Sequence, residues 1–159
     1  METKAKEKPR RIFVSSPYRP TAEDESERKM QLASNIRRAT IACKFIALAG
    51  MEPLAPHLYF TQFLDDSDAA AREQGMKLGE DWLAMSDEVW AFTGSHNNIS
   101  EGMLREINQA EKLGIKVRVF TDPEDLIRDY LCYLEDEKED VEEENSSAAD
   151  GAEREEDHE

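Results

Sequence analysis

Short β-rich runs alternate with long helical stretches along the first 120 or so residues of the chain, and that alternation constrains its fold more than any other feature. The run Arg11-Ile-Phe-Val-Ser-Ser16 is apolar at its centre and ends at Pro17, as a buried strand of a parallel sheet does. A helical stretch follows from about Ala22 to Ala49. Leu32, Ile36, Ala39, Cys43 and Ile46 recur there at alternating spacings of three and four, which predicts one apolar stripe with Arg37, Arg38 and Lys44 pointing away and Gly50 closing the helix. Glu52 to Pro56 reads as a second strand, cut by Pro53 and Pro56 and therefore at an edge. A polar and aromatic connection, His57 to Asp66, leads to a second helix over about Asp68 to Met85 with Met76, Trp82 and Leu83 inward. Glu88 to Thr93 is the most central strand. Ser100 opens a third helix to about Leu113, Ile115 to Phe120 is a fourth strand, and Pro123 to about Leu134 a final helix.

Helical crossovers between parallel strands are right-handed and cover both faces of a sheet. The expected architecture is a three-layer α/β/α fold with a parallel sheet of four or five strands, flavodoxin-like or Rossmann-like. Ligands of such sheets sit beyond the carboxyl ends of the strands, where the strand order reverses. The loops to inspect are Ser16 to Pro20, His57 to Asp66, and Thr93 to Gly102.

Charge is distributed unevenly. Of the net -16, residues 135–159 carry -12, with 14 Asp or Glu against Lys138 and Arg154, leaving 22 acidic and 18 basic side chains in residues 1–134. Nothing in the body offers the clustered Lys and Arg that duplex nucleic acid requires, so no duplex nucleic-acid partner is expected. The expected organisation is a flexible N-terminus at 1–10, one α/β domain at 11–134 and a disordered acidic tail at 135–159, too poor in apolar side chains to offset the entropy of ordering. Cys43 and Cys132 lie in apolar helical patterns, and no run has the length of a signal peptide or membrane span. The expectation is a cytoplasmic protein without a membrane partner.

The third helix carries the chemistry. Met103, Ile107, Ala110 and Gly114 share a narrow face, and Glu106 borders it on the side of Gly102. Ser100 is a good N-cap, and the first-turn N–H groups with the positive end of the helix dipole form a site for an anion. Gly102 would let a ligand approach the backbone beside the Glu106 carboxylate. Such a carboxylate, one turn below a phosphate-competent helix start, is what attack on a sugar anomeric carbon requires. Spacing alone equally permits Glu106 to be a solvated helix residue and Ser100 a simple cap.

Ile-Phe-Val-Ser-Ser-Pro-Tyr-Arg-Pro at the first strand, Ser-Asp-Glu-Val-Trp-Ala-Phe at the third and Ser-Glu-Gly-Met-Leu-Arg-Glu-Ile-Asn-Gln-Ala at the third helix together resemble the nucleoside 2-deoxyribosyltransferase superfamily, over roughly residues 11–121. Pro53 to Asp66 resembles its uncharacterised DUF4406-like bacterial and phage branch. The resemblance implies a small-molecule nucleoside or nucleotide as partner, with Glu106 as nucleophile and Ser16, Arg19 and Ser100 at a 5′-phosphate. It implies substrate contacts from the neighbouring Pro17, Tyr18, Gly102 and Met103, and it allows a homo-oligomer, because relatives often complete the pocket with a neighbouring subunit. One departure stands out: relatives carry an Asp three residues before a Trp-Leu pair to serve the leaving base, and that position is Gly79 here.

Asp65 and Asp66 are the candidates to replace that acid, against a role in capping or in the loop. His57 could donate to a phosphate or take a proton, or be structural between two prolines. Tyr18 and Tyr59 could stack on a base or cover core edges. No cofactor is expected, since the chain has neither a Gly-x-Gly-x-x-Gly turn after its first strand nor a phosphate loop, and no metal, since His57, His96 and His158 lack companion spacing. The sequence thus leaves three functions open: cleavage or base exchange at the N-glycosidic bond, nucleotide binding without turnover, or an interaction protein that acts through its acidic tail.

Overall fold

Residues 8–94 and 98–122 are described by the computed structural model; the final helix expected at 123–134, the acidic tail, His96 and Cys132 lie outside them. Strand β1 (Arg11–Ser15) leads to helix α1 (Glu25–Leu48), edge strand β2 (Glu52–Leu54), a short α2 (Pro56–Tyr59) with a 3-10 turn at Phe60–Gln62, helix α3 (Ala69–Ala84), strand β3 (Glu88–Phe92), helix α4 (Glu101–Leu113) and strand β4 (Lys116–Phe120). The four strands are all parallel in the order β2-β1-β3-β4. This is the α/β fold expected, with β2 at an edge.

Strand pleating assigns the layers. Phe13 of β1 and Val89 of β3 form one cluster with Leu83 of α3 and Ala110 of α4, against which Leu54, Trp82, Ile115 and Val117 pack. The alternate positions Trp90, Phe92 and Phe120 form a ring stack of their own, with centroids 5.1 Å apart for Trp90–Phe120 and 5.4 Å for Phe92–Phe120. Ile12, Phe13, Val14, Val89, Trp90 and Phe92 are fully buried, each contributing about 1.5 to 3 kcal/mol of transfer free energy.

Two expectations need correction. The buried stripe of α1 is Asn35, Ala39, Ala42 and Ile46, while Ile36 is exposed and Leu32 and Cys43 are only half-buried. The helix is turned because the Asn35 amide donates to the Tyr18 carbonyl at 3.1 Å, drawing a polar side chain inward. Arg38, expected to point away, is three-quarters buried; it pairs with Asp122 at 3.3 Å and lies against Gly94, where an added Cβ would meet its guanidinium at 3.2 Å. The second strand, expected to reach Pro56, stops at Leu54, and Pro56 instead occupies the first turn of α2, where its missing N–H costs nothing.

Helix termini follow their side chains. Asp24, Asp68 and Ser100 cap α1, α3 and α4 by accepting from Glu27, Ala70 and Met103 amides. Helix α4 ends in a Schellman motif: Gly114 at φ 70° donates to Glu111 O, and Ile115 donates to Ala110 O. Nothing lies within 4 Å of a Cβ built at Gly114, so only backbone conformation opposes a side chain there. Gly114→Ala is expected to lose about 1 to 2 kcal/mol in urea unfolding, the cost of a left-handed L-residue; an unchanged midpoint would contradict this account of the helix end.

Candidate functional site

The connections leaving β1 and β3 diverge, one running to β2 and the other to β4, and the crevice this opens lies on the α3/α4 side at the carboxyl ends of the strands. A cavity of about 430 Å³ occupies it. Its wall comes from the loop after β1 (Ser16, Tyr18, Arg19), from α2 and the turn beyond (His57, Asp66), from α3 (Arg72, Gly79, Glu80) and from the start of α4 (Ser100, Gly102, Met103, Arg105, Glu106). The loop after β1 is pinned to α1: Asn35 holds the Tyr18 carbonyl, and the Gln31 side-chain oxygen accepts from the amides of Thr21 and Ala22 at 2.7 and 3.0 Å.

Four carboxylates line this cavity among the described residues, and their partners differ. Asp66 accepts from Arg19 Nε at 2.9 Å and from an Arg72 terminal nitrogen at 3.1 and 3.2 Å, while its backbone carbonyl accepts from a second Arg19 nitrogen. Glu80 binds Arg105 through two guanidinium nitrogens, each at 2.6 Å. Glu101 is exposed on the first turn of α4. Glu106 is bonded only to a neutral donor, the Ser15 hydroxyl, at 2.5 Å from Oε2. Burial pushes its carboxyl up to about 7, the Ser15 hydrogen bond opposing the shift.

At the start of α4 the Ser100 hydroxyl accepts from the Met103 amide at 3.2 Å, and the amides of Glu101 and Gly102 have no acceptor within the helix. Ser16 Oγ lies 3.0 Å from His57 Nε2, with donor and acceptor set by the imidazole tautomer. Burial pushes His57 down to about 4, so the ring is neutral at pH 7. Tyr18 meets the His57 ring edge-on at 6.2 Å between centroids.

Several expected residues stand elsewhere. Asp65 is outside the cavity wall, and its carboxylate accepts from the Ser67 amide and hydroxyl at 2.9 and 2.6 Å, a turn-stabilising arrangement that also lowers its pKa. Tyr59 is half exposed, packing against Phe60, Phe63 and Trp82 rather than lining the cavity. Pro17 is not in the wall either. Asp66 is in the wall, but as an acceptor held between two arginines. Ser15, Arg72 and the Glu80–Arg105 pair went unremarked in the sequence. Of these, Ser15 had a usable signal, since it follows Phe13 by two and so must point to the same face of β1.

No three His, Cys, Asp or Glu side chains among the described residues are grouped to hold a metal, and no described helix is long and apolar enough to cross a membrane. Cys43 is a free thiol raised by burial to about 11.

The stability linkage of the two buried groups has opposite signs. Glu106 holds its proton more tightly folded than unfolded, so its contribution is full below pH 4.5 and is lost as pH rises to 7. His57, depressed from 6.5, contributes fully above that pH and loses its contribution as pH falls to 4. Glu106→Gln is therefore expected to gain on the parent protein by up to about 3 kcal/mol between pH 4.5 and 7.5 in urea unfolding, whereas a constant difference would mean the carboxyl is solvated.

Comparison with known proteins came to the same fold. The profile of DUF7768, a domain of unknown function, matches residues 10–120. That corrects the expectation of a DUF4406-like branch; the likeness to deoxyribosyltransferases holds at the level of the fold, and the segment Pro53 to Asp66 that pointed to DUF4406 did not separate it from DUF7768. No curated protein matches the sequence. Among solved structures the chain is similar to a 2-deoxyribosyltransferase from the psychrotolerant bacterium Bacillus psychrosaccharolyticus, with TM-score 0.53, 15% identity, and coverage of 70% of this chain and 72% of that one.

Proposed function

We propose that this chain, which belongs to the DUF7768 family, binds a nucleoside or nucleoside 5′-monophosphate in the cavity and acts on its N-glycosidic bond, with Glu106 as nucleophile. The observation that carries the proposal is the state of Glu106: a cavity-lining carboxyl below the capped start of its helix, held by a hydroxyl and bonded to no cation among the described residues. A carboxylate locked to arginine is a poor nucleophile, and one in bulk water would not be desolvated. The fold shared with a 2-deoxyribosyltransferase supports the substrate class.

In the proposed reaction a Glu106 oxygen attacks the anomeric carbon, the bond to the base nitrogen breaks, and the bonding pair leaves with the base, which takes up a proton. Water or a second base then displaces the ester. The glycosidic bond would lie between Glu106 and the proton-bearing Ser16–His57 pair, since Gly79 has no side chain to supply. A 5′-phosphate would meet the first-turn amides of α4, the Ser100 hydroxyl and the Arg19 guanidinium, backed by Arg72.

Release of free base from nucleosides and their 5′-monophosphates tests this directly. Glu106→Gln is expected to lose at least about a thousandfold in rate, the scale seen when a nucleophile is removed. Because the attacking form is the anion, kcat/KM should climb with pH through about 7 in the parent protein and flatten above it. A flat profile, or full activity in Glu106→Gln, is incompatible with the proposal. Gly79 favours one second reading, a nucleotide-binding module without turnover. It predicts a raised melting temperature with the same ligands and no base release.

A further inference from the structure

We propose that Ser15 is a positioning residue for Glu106: its buried hydroxyl fixes Oε2 and leaves Oε1 as the oxygen offered to the sugar. The inference rests on the reading of Glu106 as nucleophile, but its geometry stands apart from that reading.

Ser15 is fully buried and does not itself line the cavity, so it touches no ligand and acts only through what it bonds. It is the last residue of β1, paired with Ala91 of β3, and it shares its face with Phe13 on the α3/α4 side. Strand register thus aims the hydroxyl at α4, where it reaches Glu106 Oε2 at 2.5 Å, the short end of the range for a hydroxyl bonded to a carboxylate. The contact joins residues 91 positions apart. It spans the two elements, strand end and helix start, whose separation creates the cavity.

A carboxylate with both oxygens free would rotate about its last torsion and present either to the ligand. Anchoring one oxygen from the buried side removes that freedom, which is a direct contribution to orientation. The same bond favours the charged form in a place where burial disfavours it. Every other charged group around Glu106 is otherwise engaged: Glu80 of α3 with Arg105 of α4, Asp66 with Arg19 and with Arg72 of α3, and Glu101 with solvent. His57 of α2 is uncharged at neutral pH and bonded to Ser16. Among the described residues no ion is positioned to take over if the hydroxyl is removed.

The test is titration of the Glu106 carboxyl by carbon-13 NMR on the full chain labelled at glutamate, with Glu106→Gln identifying the resonance. Ser15→Ala should raise the apparent pKa by about one unit or more. Ser15→Thr, which keeps the hydroxyl, should stay within about 0.3 of the parent protein. If the larger methyl unfolds that variant, Ser15→Cys, with its weaker donor, should fall between the parent and Ser15→Ala. An unchanged titration in a folded Ser15→Ala overturns the assignment. The rising limb of the kcat/KM profile should move with the NMR titration in each variant, and a uniform drop in rate without such a shift would mark Ser15 as merely structural. The two proposals fail separately. A parent protein that releases no base but shows the Ser15-dependent titration rejects glycosidic chemistry and keeps the contact; base release with no effect of Ser15→Ala rejects Ser15 alone.

Discussion

The two-sided pairing of β1 governs the rest of the structure. Hydrogen-bonded to β2 on one edge and to β3 on the other, and buried from Ile12 to Ser15, this strand has no lateral freedom. Its chain can leave the sheet only at the carboxyl end, where Ser16 and Pro17 lead into a loop tied back to α1 by Asn35 and Gln31. Because the next connection from β1 runs to one side and that from β3 to the other, no described helix covers the gap between them. The cavity follows from strand order, and its chemistry from whichever side chains the four bordering elements turn toward it.

Charge pairing then distinguishes those side chains. Arg19, Arg72 and Arg105 line the cavity, and each is bonded to a carboxylate of the protein itself. The Arg19–Asp66–Arg72 cluster retains one net positive charge, while Arg105 faces both Glu80 and Glu73. One part of the wall is therefore suited to an anion and another is not. Pairs this exposed contribute little to stability, so their effect lies in orienting guanidinium groups rather than in holding the fold. Glu106, next in sequence to Arg105, escapes pairing because its side chain leaves the helix about 100° further round and meets β1 instead.

What could be read from the sequence divides along physical lines. Strand identities, the edge position of β2, the Ser100 cap and the inward face of α4 were legible because each is written in local periodicity or in a capping residue. The rotation of α1 was not, since it depends on a carbonyl seventeen residues away that recruits Asn35. The apolar pattern containing Ile36 is equally consistent with either face. At the site, Glu106 beside Ser100 and Gly102 could be inferred from helical geometry. Asp66 could be assigned to the right loop but not to its bonds, because its arginine partners come from positions 19 and 72, which nothing local links. Tyr59 belongs to an aromatic cluster with Phe60, Phe63 and Trp82 that only tertiary packing assembles.

Gly79 shows that a departure from a resembling family can be structural on one side and chemical on the other. The residue is buried, and a Cβ built there would stand 3.4 Å from Pro56 Cγ, in van der Waals contact with the ring. The first turn of α2 thus packs directly on α3. That same turn carries His57 into the cavity wall one residue further on, its ring uncharged at neutral pH and joined to Ser16. If the leaving base receives a proton in this protein, the geometry shifts the source from α3 to the α2 turn, and from an acid to a neutral hydroxyl–imidazole pair. Such a pair can pass a proton to the departing base only as the imidazole regains one from water at its other nitrogen, so the ring stays neutral and the net proton comes from solvent.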